Sequence, residues 1–127
     1  MSDINTTMII KFPYPPKELN PNYKCHWSIK AEYKAQQKHD AYYITKRALN
    51  AQEFTGTTFC MSLVFHPPDK RTRDLDNVEA ACKSLFDGMC QALGIDDSQI
   101  KKNGGKEWGD VVKGGEVVVN ILDQENK

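Results

Sequence analysis

Four carboxylates stand at the two ends of one segment, RTRDLDNVEAACKSLFDGMCQALGIDDSQI. Asp74 and Asp76 precede a helix-like stretch, and Asp96 and Asp97 follow it. Because like charges repel, a chain that gathers such groups in space needs a cation between them. Mg²⁺ and Mn²⁺ prefer carboxylate oxygens and leave room for water and phosphate oxygens. The pattern therefore indicates a divalent cation that could assist hydrolysis of a phosphodiester.

The spacing of Asp74 and Asp76 constrains where the helix begins. In extended backbone the two side chains point the same way, whereas in a helix they would lie about 200° apart. We therefore expect Asp74 just outside the helix and Asp76 at or near its N-cap. Asp76 and Glu79 also fit a capping-box variant, in which the carboxylate only accepts backbone N–H bonds. The second acidic pair favours the metal hypothesis over capping alone.

Lys83 is the candidate for stabilising negative charge on a phosphate. On one continuous helix it would lie within about 20° of the face of Asp76, and a positioned ammonium can stabilise charge that develops in a reaction. An exposed lysine, or one paired with Asp87, is an equal alternative. A helix of ~18 residues is ~27 Å long. The chain after Gly94 must therefore turn back for Asp97 to join this site, or a partner subunit must supply Asp97.

Basic residues lie next to the first acidic pair and along the first predicted helix. Residues 1–73 carry 11 Lys/Arg and 6 Asp/Glu, whereas residues 74–127 carry 6 and 11. A basic surface beside an acidic centre suits a polyanion held over bound cations. An ordinary solvated helix face is the more common explanation of the lysine stripe. The predicted DNA-phosphate contacts are Lys70, Arg71, Arg73, Lys30 and Lys34.

The order of elements predicts an α+β fold in one domain spanning residues 1–127. Strands are expected at 6–15, 57–68 and 114–122, with a further strand or hairpin arm in SQIKKNGGKEW. Helices are expected at 29–50, capped by Ser28, and at 76–93, ended by Gly94. The buried stripe of the first helix is predicted to be Ile29, Tyr33, Ile44 and Ala48. We expect a small mixed sheet of about four strands, with two main helices on one face.

Apolar segments and cysteines limit where the protein acts. The longest apolar runs are short, so we expect no membrane span, and MSDINTT does not match a signal peptide. The 4 cysteines form no Cys-x-x-Cys pair, which favours reduced thiols in the cytoplasm.

Three motifs together resemble the RusA family of Holliday junction resolvases, which is common in phages and prophages. They are RTRDLDN, the helix with KSLFDGM, and LGIDDSQI. The opening IIKFPYPPKELNPN and the closing KEWGDVVKGGEVVVNI resemble the family's first and last strands. The resemblance implies a homodimeric, Mg²⁺- or Mn²⁺-dependent endonuclease that makes paired symmetric cuts in a four-way DNA junction. If the gene is carried by a phage, the protein would act in the bacterial host cytoplasm.

The resemblance also implies roles for particular residues. Asp74, Asp76 and Asp97 match the family's catalytic carboxylates, with Asp96 beside Asp97 as a further metal ligand. The family's catalytic lysine lies four residues after the second Asp of the motif, where this chain has alanine. Counted backward from the Phe-Asp pair, the matching residue is Lys83. A three-residue insertion accounts for both alignments, and the catalytic role is carried to Lys83.

Two other function classes remain open from the sequence. A branched-DNA-binding protein without nuclease activity would use the carboxylates only for capping and solubility, and it would not need Asp97 near Asp74 and Asp76. A metal-dependent transferase could use Asp-x-Asp to hold a nucleotide-sugar diphosphate. With 127 residues, the chain has little room for a nucleotide domain and an acceptor site.

Overall fold

The computed structural model describes residues 7–50, 58–101 and 104–123. Short 3₁₀ helices lie at Lys17–Leu19 and Asp97–Gln99. The other elements are β1 (Thr7–Phe12), α1 (Trp27–Leu49), β2 (Phe59–His66), α2 (Leu75–Ala80), α3 (Lys83–Leu93), β3 (Ile100–Lys101), β4 (Lys106–Trp108) and β5 (Glu116–Asp123).

The strands form one mixed sheet, which confirms the predicted α+β class. Its order is β1-β5-β2-β3, and β4 pairs with β2 further along that strand. β5 runs antiparallel to both β1 and β2, whereas β3 and β4 run parallel to β2. Within the described residues the sheet has five strands, where about four were expected. The segment predicted as a strand or hairpin arm contributes both β3 and β4.

One face of the sheet is buried beneath the helices. Alternate residues of β2 are at most 2% exposed, as the period-two geometry of a half-buried strand requires. These residues are Phe59, Met61, Leu63 and Phe65. Leu85 and Met89 of α3 belong to the same core cluster, so the sheet and α3 share one apolar interior.

The first helix differs from its prediction at its start and in its buried face. It begins at Trp27, and the ring Nδ1 of His26 accepts the backbone N–H of Ser28, so Ser28 is not the N-cap. Ile29, Tyr33 and Ala48 are exposed, and Ile44 is only partly buried. The buried residues of this helix are Ala41, Thr45 and Leu49.

Close packing of two backbones explains this difference. A Cβ added to Gly88 on α3 would stand only 2.2 Å from the backbone oxygen of Lys38 and 3.2 Å from the Cβ of Ala41. The two helices therefore meet through glycine and alanine rather than through a stripe of large apolar side chains. A periodicity based on hydrophobicity does not detect a contact of this kind.

The second predicted helix, 76–93, is interrupted at Ala81 and Cys82 and forms α2 and α3 instead. Gln37 of α1 satisfies backbone groups at the interruption. Its Nε2 donates to the Ala81 oxygen at 3.1 Å, and its Oε1 accepts the N–H of Leu85 at 3.0 Å. Gln37, from another helix, thus stabilises the break between α2 and α3. The sequence of residues 76–93 alone does not indicate that break.

Gly94 ends α3 with φ of 75°, as predicted, because glycine adopts left-handed backbone without steric cost. No helix among the described residues is long and apolar enough to cross a membrane.

Candidate active site

Asp74, rather than Asp76, is the N-cap of α2. Its Oδ1 accepts the backbone N–H of Asp76 at 2.9 Å and that of Asn77 at 3.4 Å. Asp74 thus lies just outside the helix, as predicted, and Asp76 is two residues further on, near the N-cap. The capping role considered for Asp76 belongs to Asp74, because Leu75 is already helical and Asp74 lies beside the first free N–H groups. Asp74 also lines a cavity of about 540 Å³, together with Arg71.

Asp76 shares a cation with Glu79. The Lys106 ammonium, on β4, lies 2.5 Å from Asp76 Oδ1 and 2.5 Å from Glu79 Oε1. The hydrogen bonds to Asp76 and Glu79 raise the pKa of the Lys106 ammonium above its ordinary value, because they favour its charged form. Two carboxylates of α2 therefore converge on one positive charge.

The second acidic motif is also a capping motif. The Asp96 carboxylate accepts the hydroxyl and the backbone N–H of Ser98, and the Asp96 N–H donates to Gln99 Oε1 at 2.8 Å. These bonds from Ser98 lower the pKa of Asp96. Asp97 begins the 3₁₀ helix and is exposed.

Lys83 and Asp97 line the same small cavity, of about 140 Å³, together with Asp87. The chain after Gly94 therefore turns back along α3 far enough for Asp97 to share a cavity with Lys83. The break after α2 means that the continuous-helix geometry used to place Lys83 does not apply, since Lys83 is the first residue of α3.

Lys83 also lines a second cavity, of about 430 Å³, in which Lys30 and Lys34 stand on α1. Ala81 is common to this cavity and to the larger one that Asp74 lines. The three cavities thus adjoin one another along α2 and α3. Lys30 also donates from Nζ to the backbone oxygen of Asn20 at 3.1 Å.

Among the basic residues before Asp74, Arg73 stabilises the loop that leads into α2. Its guanidinium, with the side chain 17% exposed, donates to the backbone oxygens of Asp69 and Arg71 and to Asp69 Oδ1 at 2.7 Å. The backbone N–H of Arg71, then the two arginine side chains, hold the pKa of Asp69 well below its ordinary range. Arg71 and Lys70 are exposed, so they are the ones that a polyanion could reach.

The predicted carboxylates do not form one ready-made metal centre. Within residues 7–50, 58–101 and 104–123, no three or more His, Cys, Asp or Glu side chains are grouped so that they could hold a metal ion. Shared coordination by Asp74, Asp76 and Asp97 therefore stays a prediction. Mg²⁺ commonly uses only one or two protein carboxylates, with waters and substrate phosphates completing its shell. Asp76, whose side chain is 81% exposed and already contacts the Lys106 ammonium, suits this role as one such carboxylate.

Glu79 is the residue that sequence reasoning underestimated. The sequence indicates Glu79 only as part of a capping box, whereas its carboxylate pairs with Lys106 beside Asp76. The detectable signal was the three-residue spacing of Asp76 and Glu79, which places them on one helix face. Lys106 could not be found in this way because it lies 30 residues from Asp76 along the chain.

Comparisons with known proteins give one informative similarity. No protein-family model matches the chain. An uncharacterized protein of Xylella fastidiosa is 28% identical over 127 residues, an alignment that covers 95% of this chain and 80% of that protein. The chain is thus similar along almost all of its length to a bacterial protein.

Proposed function

We propose that the protein is a divalent-metal-dependent endodeoxyribonuclease of the RusA type, which resolves four-way DNA junctions by paired symmetric phosphodiester hydrolysis. The motif resemblance supports this class. The observation that carries the proposal is the shared cavity of Lys83 and Asp97, which adjoins the cavity of Lys30 and Lys34. A carboxylate, a candidate phosphate-binding lysine and further cations thus adjoin on one surface. Its location is the cytoplasm, that of a bacterial host if the gene is phage-encoded.

The proposed roles follow from side-chain chemistry. Asp74, Asp76 and Asp97 would hold Mg²⁺ or Mn²⁺, which when bound supplies Lewis acidity at the scissile phosphate. Asp96, expected from the resemblance as a further ligand, would instead support Asp97 by capping the 3₁₀ helix that begins there. Asp74 is kept in place by the two N–H groups that it caps. Lys83 donates to a phosphate oxygen and stabilises the charge that develops there.

The lysines and Arg71 position DNA without reading its bases. Lys70, Arg71, Lys30 and Lys34 are the candidate contacts to the phosphate backbone, and Arg73 supports them by ordering the loop through Asp69. A two-fold homodimer would present two such sites to a two-fold junction. This arrangement would account for paired, symmetric cuts.

Nick mapping tests the proposal. The protein is incubated with a synthetic four-way junction and with matched linear duplex, each with and without Mg²⁺, and the products are mapped. We expect symmetric nicks in the junction only, and only with Mg²⁺. Asp74→Asn keeps a good N-cap, so it should retain the fold and junction binding while losing cleavage. Cleavage by this variant at the wild-type rate would contradict the site assignment.

One alternative has a specific observation in its favour. Asp74 and Asp96 are helix caps, and Asp76 is neutralised by Lys106. All three therefore have structural explanations in a branched-DNA-binding protein without nuclease activity. The same assay separates the two functions, since a pure binder would shift the junction in a gel but leave every strand intact with Mg²⁺.

A further inference from the structure

We propose that Lys106 is the internal counter-ion of the metal site, that Glu79 holds it there, and that its displacement from Asp76 sets the affinity for the divalent cation. The inference rests on the proposed function, because it assigns Asp76 to that cation. It adds Lys106 and Glu79 as positioning residues. Neither belongs to the three motifs that suggested the nuclease, although Lys106 is the first residue of the closing segment that resembles the family's last strands.

The sheet holds the backbone of Lys106 in place. Lys106 opens β4 and pairs in parallel with Leu63 of β2, whose N–H donates to the Gly105 oxygen at 3.0 Å. Gly105 has φ of 84°, a conformation that favours glycine, and it delivers the chain to β4. The ammonium therefore reaches α2 from a fixed strand position.

The two carboxylates hold the ammonium in different environments. The Glu79 side chain is 19% exposed, the Lys106 side chain 31%, and the Asp76 side chain 81%. Glu79 is thus the covered partner and Asp76 the solvent-facing one. An incoming cation can approach Asp76 from water while Lys106 keeps its contact with Glu79.

Competition between the two cations follows from this geometry. Asp76 and Glu79 lie on one face of α2, so their charges repel unless a cation lies between them. The lysine ammonium is protonated at neutral pH and offsets this repulsion in the metal-free protein. A divalent cation must compete with that ammonium for Asp76, and removal of the ammonium should strengthen metal binding.

Calorimetric titration of the intact, metal-free protein with Mn²⁺ tests the inference. Lys106→Met removes the charge but keeps an unbranched side chain, and we expect it to bind Mn²⁺ about 10-fold more tightly, equal to about 1.4 kcal/mol. Lys101→Met is the matched control, because Lys101 is an exposed lysine on neighbouring β3. It should bind like wild type. Equal or weaker binding by Lys106→Met would overturn the inference.

A second variant and a second readout separate competition from misfolding. Lys106→Arg keeps the charge, so its Mn²⁺ affinity should stay within about twofold of wild type, and a 10-fold gain there would also overturn the inference. In EDTA, Lys106→Met should melt at a lower temperature than wild type, because Asp76 and Glu79 then lack a shared cation. An unchanged melting temperature would contradict the counter-ion role.

Asp76→Asn distinguishes failure of this inference from failure of the proposed function. Should wild type show no Mn²⁺ binding that Asp76→Asn abolishes, the proposed metal site fails and the inference fails with it. Should Asp76-dependent binding exist but remain unaltered by Lys106→Met, only the counter-ion role of Lys106 is overturned.

Discussion

The two acidic motifs of this protein divide their carboxylates in the same way, although one opens an α-helix and the other a 3₁₀ helix. In each, the first aspartate, Asp74 or Asp96, accepts backbone N–H bonds at the helix start. The later aspartate, Asp76 or Asp97, is exposed and does not cap. The motifs differ in the neighbours of that later residue: Asp76 contacts Lys106, whereas Asp97 lines a cavity with Lys83.

An aspartate in such a motif can therefore act in helix capping or in metal binding, and the residue type alone does not show which. A capping aspartate can be replaced by asparagine with little loss of stability, since asparagine accepts the same N–H bonds. Replacement of a metal-binding aspartate by asparagine weakens metal binding, because the neutral amide lacks the negative charge of the carboxylate. Aspartate-to-asparagine variants therefore isolate chemistry, and aspartate-to-alanine variants report on capping.

The largest expected effect is on cleavage by variants of the second motif. Asp97→Asn should lower Mg²⁺-dependent junction cleavage by about 100-fold or more, because it removes a charged ligand of the metal that stabilises the developing negative charge, and loss of such stabilisation typically costs that much. Asp96→Asn should stay within about threefold of wild type because its main contacts are structural. Single-turnover rates on a four-way junction measure both. Equal losses of cleavage in the two variants would contradict the assignment of Asp96 to capping and of Asp97 to metal binding.

The next largest effect is expected on the free energy of unfolding, when the packing of α3 against α1 is changed. Gly88→Ala should destabilise the protein by about 1–3 kcal/mol, as overpacking does, because its Cβ would collide with the Lys38 backbone oxygen. Urea denaturation measures the loss. Gln91→Ala, at an exposed position of the same helix, is the control and should change stability by less than about 0.5 kcal/mol. A fully stable Gly88→Ala would show that α1 and α3 do not approach this closely.

The cap at Asp74 gives a smaller effect. Asp74→Ala should lose about 1 kcal/mol of unfolding free energy, whereas Asp74→Asn should lose only a few tenths. Urea denaturation of both variants in EDTA measures this difference without a metal contribution. Equal loss in the two variants would mean that charge, rather than the N–H bonds of Asp76 and Asn77, explains the role of Asp74.

The smallest expected effect concerns the loop that leads into the first motif. Because the folded-state pKa of Asp69 is depressed, its contribution is present above the ordinary aspartate pKa of about 4 and is lost as pH falls through the lower folded value. Asp69→Asn should therefore melt slightly below wild type at pH 7. Melting curves from pH 7 to pH 2 should show the gap narrowing below about pH 4, and a gap that widens there would contradict the assigned contacts.

Local signals predicted most of the fold. Alternation in β2, the Gly94 stop and the acidic residues at the start of α2 were all readable, because each depends on neighbours in the chain. The break at Cys82 and the buried face of α1 were not. They depend on Gln37 and Gly88 meeting residues from another helix, and no local pattern encodes such contacts.

The site was predictable to a lesser extent. The residue types and motif pairs indicated Asp74, Asp76, Asp97 and Lys83, and the return of the chain brings Asp97 to a cavity with Lys83. The pairing of Lys106 with Asp76 and Glu79 arises only when β4 joins β2. Residue spacing along the chain does not predict contacts that depend on pairing between strands far apart in sequence.

In the proposed mechanism Asp76 and Asp97 bind one metal ion, within a subunit or across a dimer. An anomalous difference map from crystals of the protein soaked in Mn²⁺ tests this shared coordination. We expect a peak within bonding distance of carboxylate oxygens of both residues. A peak at Asp76 with the nearest Asp97 carboxylate beyond bonding range, or one at Asp97 alone, would contradict it.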